Sequence, residues 1–271
     1  MNAHFFHAAL FIYLGATGFS LAYLVSLRKF LAKLGPYVLA AGFGVHSLAL
    51  VIRYWEAGHT PVTNMPESLS FFSWAIVGLY LSLFWRYRLA ILAAFVSPIA
   101  AVLMILASVY PLKILPLPPA LESLWLPIHV ILAFIGDAAF ALAFAVGIMY
   151  LIQEWQIKTK KIGAFYHRLP PLQVLDELNY RCLTIGFPFL TLGIISGAIW
   201  AESAWGAYWS WDPKETWSLI TWFLYAALLH GRLAIKWRGR KAAIWAVLGF
   251  AALIFTFLGV NLLFSGLHAY R

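Results

Sequence analysis

Apolar runs of bilayer length alternate with short polar breaks along the whole chain. Eight stretches, at about residues 6–27, 36–53, 69–85, 89–110, 127–152, 182–200, 216–233 and 242–264, are mostly apolar, and each has the roughly 17–25 residues a helix needs to cross a hydrocarbon core. Backbone N–H and C=O groups find no water there, so a helix is the form such a stretch takes. The pattern predicts an all-α integral membrane protein, a polytopic bundle of about eight transmembrane helices with a tryptophan-rich outer loop. Nothing marks a second domain or an internal repeat, so residues 1–271 read as a single polytopic membrane domain. The opening segment, MNAHFFHAALFIYLG, has no basic stretch and no small-residue cleavage site before a short apolar core. The first run is therefore expected to be a retained span rather than a signal peptide.

Composition excludes a water-soluble fold: 63% of residues are hydrophobic, 11% are charged, and mean hydropathy is +0.83. The formal charge of +9 does not point to nucleic acid, because the basic residues sit in short breaks between apolar runs, where they set membrane orientation. Arg28, Lys29 and Lys33, then Arg86 and Arg88, then Lys158, Lys160, Lys161, Arg168 and Arg181, then Arg232, Lys236, Arg238, Arg240 and Lys241 fall on one side. Arg53, Lys113, Lys214 and Arg271 fall on the other. The positive-inside rule puts both termini and the tryptophan-rich loop outside the cytoplasm. A single cysteine, Cys182, excludes an internal disulfide and any CxxC redox or zinc motif. Its expected role is helix packing.

Chemistry concentrates in the outer breaks. Residues 54–68 (YWEAGHTPVTNMPES) carry Gly58, Pro61 and Pro66 among polar side chains, an ordered turn structure rather than a minimal connection. Residues 111–126 hold Pro111, Pro116, Pro118 and Pro119, and with Pro127 these forbid a helix until the fifth span begins. The third, residues 200–222 (WAESAWGAYWSWDPKETWSLITW), packs Trp200, Trp205, Trp209, Trp211, Trp217 and Trp222 beside Glu202, Asp212, Lys214 and Glu215. Indole rings offer flat, rigid, apolar area with one N–H each, which suits a membrane interface and equally a large planar ligand. Asp212-Pro213 with Glu215 three residues on has the spacing of a helix N-cap and capping box. The inner connector, residues 153–181, is charged and contains Pro170-Pro171.

Eight histidines narrow the choice, since imidazole is a common axial ligand of haem iron and costly to leave unpaired in lipid. His129 lies at the outer end of the fifth span and His268 just beyond the outer end of the eighth, both level with the tryptophan loop. His230 falls roughly 20 Å below the outer surface, and His46 about 15 Å up from the inner end of the second span. Taken singly, an interfacial histidine is usually solvated and an intramembrane one often bonds a neighbouring helix. His4, His7, His59 and His167 keep that bland reading. Asp137, about 12 Å inside by helical rise, is a functional candidate by its depth, as partner to Arg53 or a histidine, with helix pairing as the alternative.

The run WGAYWSWDPKETWSLITW resembles the WWD signature of the haem-handling protein family, and within it the CcsA (ResC-type) subunits of the System II cytochrome c biogenesis machinery. GHTPVTNMPESLSFF, LWLPIHVILAF, AFALAFAVGIMYLIQE and DELNYRCLTIGFPFLTLGIISGAIWA resemble other segments of that family, over most of residues 40–268. Pro66 departs from it, standing where an aromatic residue is frequent. The resemblance implies that His129 and His268 hold the iron of haem b outside, and that His230 belongs to a transmembrane haem site used in export. It also implies a CcsB/ResB-type membrane partner that supplies the second inner ligand. That leaves His46 either as this ligand or as a packing residue.

By the same resemblance the chain is part of a two-subunit holocytochrome c synthase in the bacterial inner membrane, presenting haem to the CxxCH motifs of apocytochrome c. Trp205, Trp209, Trp211 and Trp217 offer area for stacking on a macrocycle, Lys214 a charge for a propionate, and Asp212 a rigid rim. Two other classes stay open: a haem transporter or chaperone serving a separate acceptor, and a b-type electron-transfer protein. The last would need histidine pairs on two shared helices, and it gives no reason for the tryptophan loop.

Overall fold

The computed structural model describes residues 2–26, 28–114, 117–160 and 166–264. Each of the eight apolar runs is a helix: α1 (Asn2–Ser26), α2 (Lys29–Ala57), α3 (Met65–Tyr87), α4 (Ala93–Val109), α5 (Trp125–Lys158), α6 (Leu172–Trp205), α7 (Pro213–Ala234) and α8 (Arg240–Ile254). A π-turn, Phe255–Gly259, carries α8 on into α9 (Val260–Leu263). Seven of these stretches are long and apolar enough to cross a bilayer, and the chain is an all-α, multi-pass membrane protein. The shortfall is α7, where Lys214, Glu215, Thr216, Thr221, His230 and Arg232 dilute the apolar residues.

The expected inner connector proves mostly helical. α5 and α6 each run 34 residues, about 50 Å and well beyond the bilayer core. Charges that read as a loop are spaced to support helix: Lys158 pairs with Glu154 at 2.9 Å and Arg181 with Glu177 at 2.8 Å, each one turn apart. The tryptophan segment is likewise more helical than expected. Trp200 and Trp205 belong to α6, Trp217 and Trp222 to α7, and residues 206–212 alone form the loop.

The helices group into two compact units, Met1–Leu117 with Ile162–Leu169, and Pro118–Lys161 with Pro170–Arg271. In the first, α1 packs on α2 and α4, and α3 on α4. Gly42 of α2 lets the helices close, since a Cβ there would lie 2.7 Å from the Tyr13 ring. Trp74 stacks on Phe43 at 5.2 Å and donates to Ser47 Oγ at 2.8 Å.

The second unit is built on the α5–α6 pair. Small residues bring the backbones together: a Cβ on Gly136 would meet Leu190 N at 2.8 Å, and one on Gly193 would meet Ala133 Cα at 3.1 Å. Lipid gives no hydrophobic drive between helices, so close van der Waals approach of this kind holds them. α7 joins through Tyr225, stacked on Phe140 at 3.5 Å, and through Trp222, whose Nε1 donates to Thr191 Oγ1 at 2.9 Å. At the opposite end from the tryptophan loop, Arg232 donates to Asp176 Oδ1 at 2.9 Å and Oδ2 at 3.0 Å, and Gly239 N also donates to Asp176. That carboxylate clamps α6, α7 and the start of α8.

Candidate functional site

The tryptophan loop is held by the first turn of α7. Gly206, in the left-handed region at φ 77°, ends α6 by donating its N–H to Glu202 O. Asp212 is the N-cap of α7, accepting from Lys214 N at 2.8 Å, and Pro213 takes the first helical position, where a missing N–H costs nothing. Glu215 reaches back: its Oε2 accepts from Asp212 N at 3.2 Å and Ser210 N at 2.8 Å, and Ser210 Oγ donates to Oε1 at 3.1 Å. The capping box expected from the spacing is present. Between those anchored amides stands Trp211, with φ 56° and 68% of its surface exposed. A bulky residue in the left-handed region costs about 1–2 kcal/mol, and such strain persists where surroundings over-determine it, commonly at functional sites. Trp209 meets Trp211 edge to face at 5.8 Å. Trp217 packs on Phe255 of the π-turn at 4.4 Å.

His129 lies in the first turns of α5, and Gly193, Gly197 and Trp200 of α6 lie against it. A carbonyl oxygen only accepts, so the 2.7 Å contact between Nδ1 and Gly193 O makes Nδ1 the protonated nitrogen and leaves the basic lone pair on Nε2. Metal-bound histidines commonly have this arrangement, the non-ligating nitrogen donating to a backbone carbonyl or carboxylate. The ring lies nearly parallel to Trp200, at 6.1 Å and 13°, and Trp200 meets Trp205 edge-on at 5.1 Å. A line of rings thus runs from His129 to the residue on which the loop begins.

The other candidates divide. His46 is fully buried, with Nδ1 3.2 Å from Tyr13 Oη and Nε2 2.8 Å from Ser70 Oγ, so both ring nitrogens are engaged within the first unit. Of its two readings, the geometry fits packing. His230 sits about 25 Å along α7 from Pro213. It is exposed beside Phe223 and Ala227 on one stripe of the helix and has no hydrogen-bond partner among the described residues. His268 lies outside the described residues. Lys214 and Asp137 interact electrostatically, and Lys214 also faces Asp212. Asp137 is about 18 Å along α5. Arg53, the other partner considered for Asp137, is engaged within the first unit. Its Nε and Nη2 donate to Glu67 Oε1 at 3.0 and 2.8 Å, and it also donates to the carbonyls of Leu112 and Lys113. Glu67 holds Thr63 N at 3.0 Å, and Asn64 caps α3 through Glu67 N. One buried ion pair therefore orders the first outer loop and ties the second to it. Sequence reasoning missed that pair, although an arginine near a span end and an Asn-x-x-Glu step were visible. It missed Gly193 and Gly197 as well, whose i, i+4 spacing in LGIISGAIW was the available signal.

Comparison with known proteins agrees with this architecture. Residues 62–268 match the family model described as Cytochrome C assembly protein. Among curated relatives, the cytochrome c biogenesis protein CcsA of Chlamydomonas reinhardtii is 41% identical over 232 residues, covering 82% of this chain and 64% of that protein. CcsA of Synechococcus sp. (strain CC9902) is 41% identical over 246 residues, covering 82% of this chain and 81% of that protein. Among solved structures, the cytochrome c heme lyase CcmF superposes with a TM-score of 0.70 at 20% identity, over 95% of this chain and 46% of that one. At that identity the likeness is one of fold. The family-model match over most of the chain and the relatives at about two-fifths identity establish that this protein belongs to the cytochrome c assembly protein family.

Proposed function

We propose that the protein holds haem b, as substrate, at the tryptophan loop of the second unit and presents it to the CxxCH segments of apocytochrome c. Family membership supports a role in cytochrome c biogenesis. The observation that carries the finer reading is the placement of His129, its tautomer set by Gly193 O and its ring linked through Trp200 and Trp205 to the loop. The residues fit the substrate. Trp205, Trp209, Trp211 and Trp217 supply aromatic area, His129 and His268 the two axial nitrogens, and the Asp212–Glu215 cap a rigid rim. Lys214, drawn toward Asp212 and Asp137, serves the rim first and a propionate second.

In this reading, held haem exposes a vinyl edge, and each cysteine S–H adds across a vinyl C=C to form a thioether. The chain supplies orientation for that step. His230 belongs to a deeper haem position used in export, completed by a CcsB/ResB-type partner. The membrane is the bacterial inner membrane, with the loop on the periplasmic side, as the basic inner loops support.

The test is the optical spectrum of protein purified in detergent with its partner, comparing the natural sequence with His129→Gly, His268→Gly and His230→Gly. Low-spin haem is expected in the natural protein, lost in the two outer variants and restored by imidazole, while His230→Gly lowers total haem. Outer variants that leave both spectrum and cytochrome c maturation intact would refute the proposal.

A further inference from the structure

We infer that α6 is the positioning element for His129, with Gly193, Gly197 and Trp200 forming a cradle that fixes the tautomer, position and plane of its ring; this rests on His129 being an iron ligand. The three residues are spaced i, i+4 and i+7, so they share one face of the helix. Gly193 contributes its carbonyl, 2.7 Å from Nδ1. Gly197 contributes space: a Cβ there would lie 2.7 Å from both Cε1 and Nδ1 of His129, closer than real Cβ contacts come. Trp200, 5% exposed, supplies the flat wall parallel to the ring. Ser196 Oγ stays on the helix backbone, donating to Leu192 O at 2.7 Å with Gly193 O as the longer contact at 3.0 Å.

The cradle gives Gly197 a role that differs from its glycine neighbours. A methyl at Gly193 would press on the Ala133 backbone, at 3.1–3.2 Å, and one at Gly136 on Leu190 N at 2.8 Å, so those substitutions attack the α5–α6 packing itself. The three atoms nearest a methyl at Gly197 all belong to the His129 ring, at 2.7, 2.7 and 3.4 Å. A side chain can rotate away where a backbone cannot. Gly197→Ala therefore leaves the fold standing while swinging the ring off its carbonyl, and it moves Nε2 relative to any iron bound there. A shift of about 1 Å in a positioned group is enough to cost 10²-fold in the reaction it serves.

The experiment uses the full chain in detergent, loaded with haem b, in four versions: natural, His129→Ala, Gly197→Ala and the double variant. Thermal unfolding without haem is measured alongside. Gly197→Ala is expected to unfold like the natural protein, to convert low-spin haem to a mixed- or high-spin spectrum, and to recover with added imidazole. The double variant should match His129→Ala, because a residue acting only through the ring has nothing to lose once the ring is gone. The positioning role is overturned, with the haem reading intact, if His129→Ala changes the spectrum and Gly197→Ala does not. It is overturned equally if the double variant is additive in spectrum or if Gly197→Ala lowers thermal stability as a packing residue would. His129→Ala indistinguishable from the natural protein, haem-loaded or haem-free alike, defeats the haem reading of His129 and this inference with it.

Discussion

Removing the Glu215 carboxylate should open the tryptophan loop more than removing its N-cap partner does. Glu215 is 8% exposed and accepts from two backbone amides and one hydroxyl. In Glu215→Ala the Asp212 amide, buried with its residue, loses its acceptor and carries a desolvation cost of about 1–3 kcal/mol. Ser210 is exposed, so water replaces most of its loss. The first turn of α7 also loses an anion that its dipole favours, worth about 0.3–1 kcal/mol. Together the opening free energy falls by about 1.3–4 kcal/mol. Trp211 adds to the opening, because its left-handed backbone is tolerated while both flanking amides are tied. Hydrogen exchange over residues 206–216 reads the effect directly, and a fall of that size is a rise of roughly 10- to 1,000-fold in exchange at Asp212. Asp212→Ala removes an N-cap worth ~1 kcal/mol, near fivefold, and Glu215→Gln, which keeps one acceptor oxygen, should fall between. Exchange in Glu215→Ala within about threefold of the natural protein, or a larger rise in Asp212→Ala, would show that the loop is held by something other than this carboxylate.

Three further outcomes follow from the same contacts. Arg53→Met should destabilise the first unit by about 3–5 kcal/mol by stranding Glu67, with much of it regained in Arg53→Met/Glu67→Met; melting temperatures in detergent decide, and equal single and double variants would refute the pairing. Asp176→Ala should release the 5%-exposed Arg232 and the Gly239 amide, costing about 3 kcal/mol, and protease cleavage near residues 235–239 should accelerate, whereas unchanged cleavage would show that the clamp is dispensable. His46→Ala should cost about 1–3 kcal/mol of stability by unpairing Tyr13 and Ser70 while haem per folded protein stays constant; loss of haem without loss of stability would return His46 to the ligand set.

Much of this was legible because the bilayer imposes one rule on every span. Apolar length alone gave all eight helices, and the spacing of Asp212, Pro213 and Glu215 gave the cap of α7 before its hydrogen bonds were known. The errors came where charge has two meanings. Glu154, Lys158, Glu177 and Arg181 read as a cytoplasmic loop, yet paired one turn apart they extend α5 and α6 beyond the membrane. Asp137 looked like an intramembrane charge in search of a partner, with Arg53 at a span end as one candidate. No sequence rule says that Arg53 takes Glu67 and two carbonyls of the next outer loop while Asp137 faces Lys214. Glycines were harder still. Gly193 and Gly197 differ in nothing along the chain, and only three-dimensional approach shows that one meets backbone and the other a histidine ring.

The three described candidate histidines differ in what surrounds them, and that difference orders their fitness as ligands better than depth does. His46 has both nitrogens engaged by hydroxyls in a fully buried site, so binding iron there would break a hydrogen bond and strand a buried polar group. His230 is the opposite case, exposed at membrane depth without a hydrogen-bond partner among the described residues, so its ring gains a preferred orientation only from what binds it. His129 lies between, its tautomer fixed through Nδ1 and its plane fixed by Trp200, in a hole that one methyl group would close. A site that holds a reactive substrate in a single pose for a second molecule needs a ligand whose orientation is fixed beforehand. A site that passes its cargo onward is better served by one whose hold depends on the occupant. The pre-set His129 and the unsupported His230 match those two demands in the order the proposed path requires.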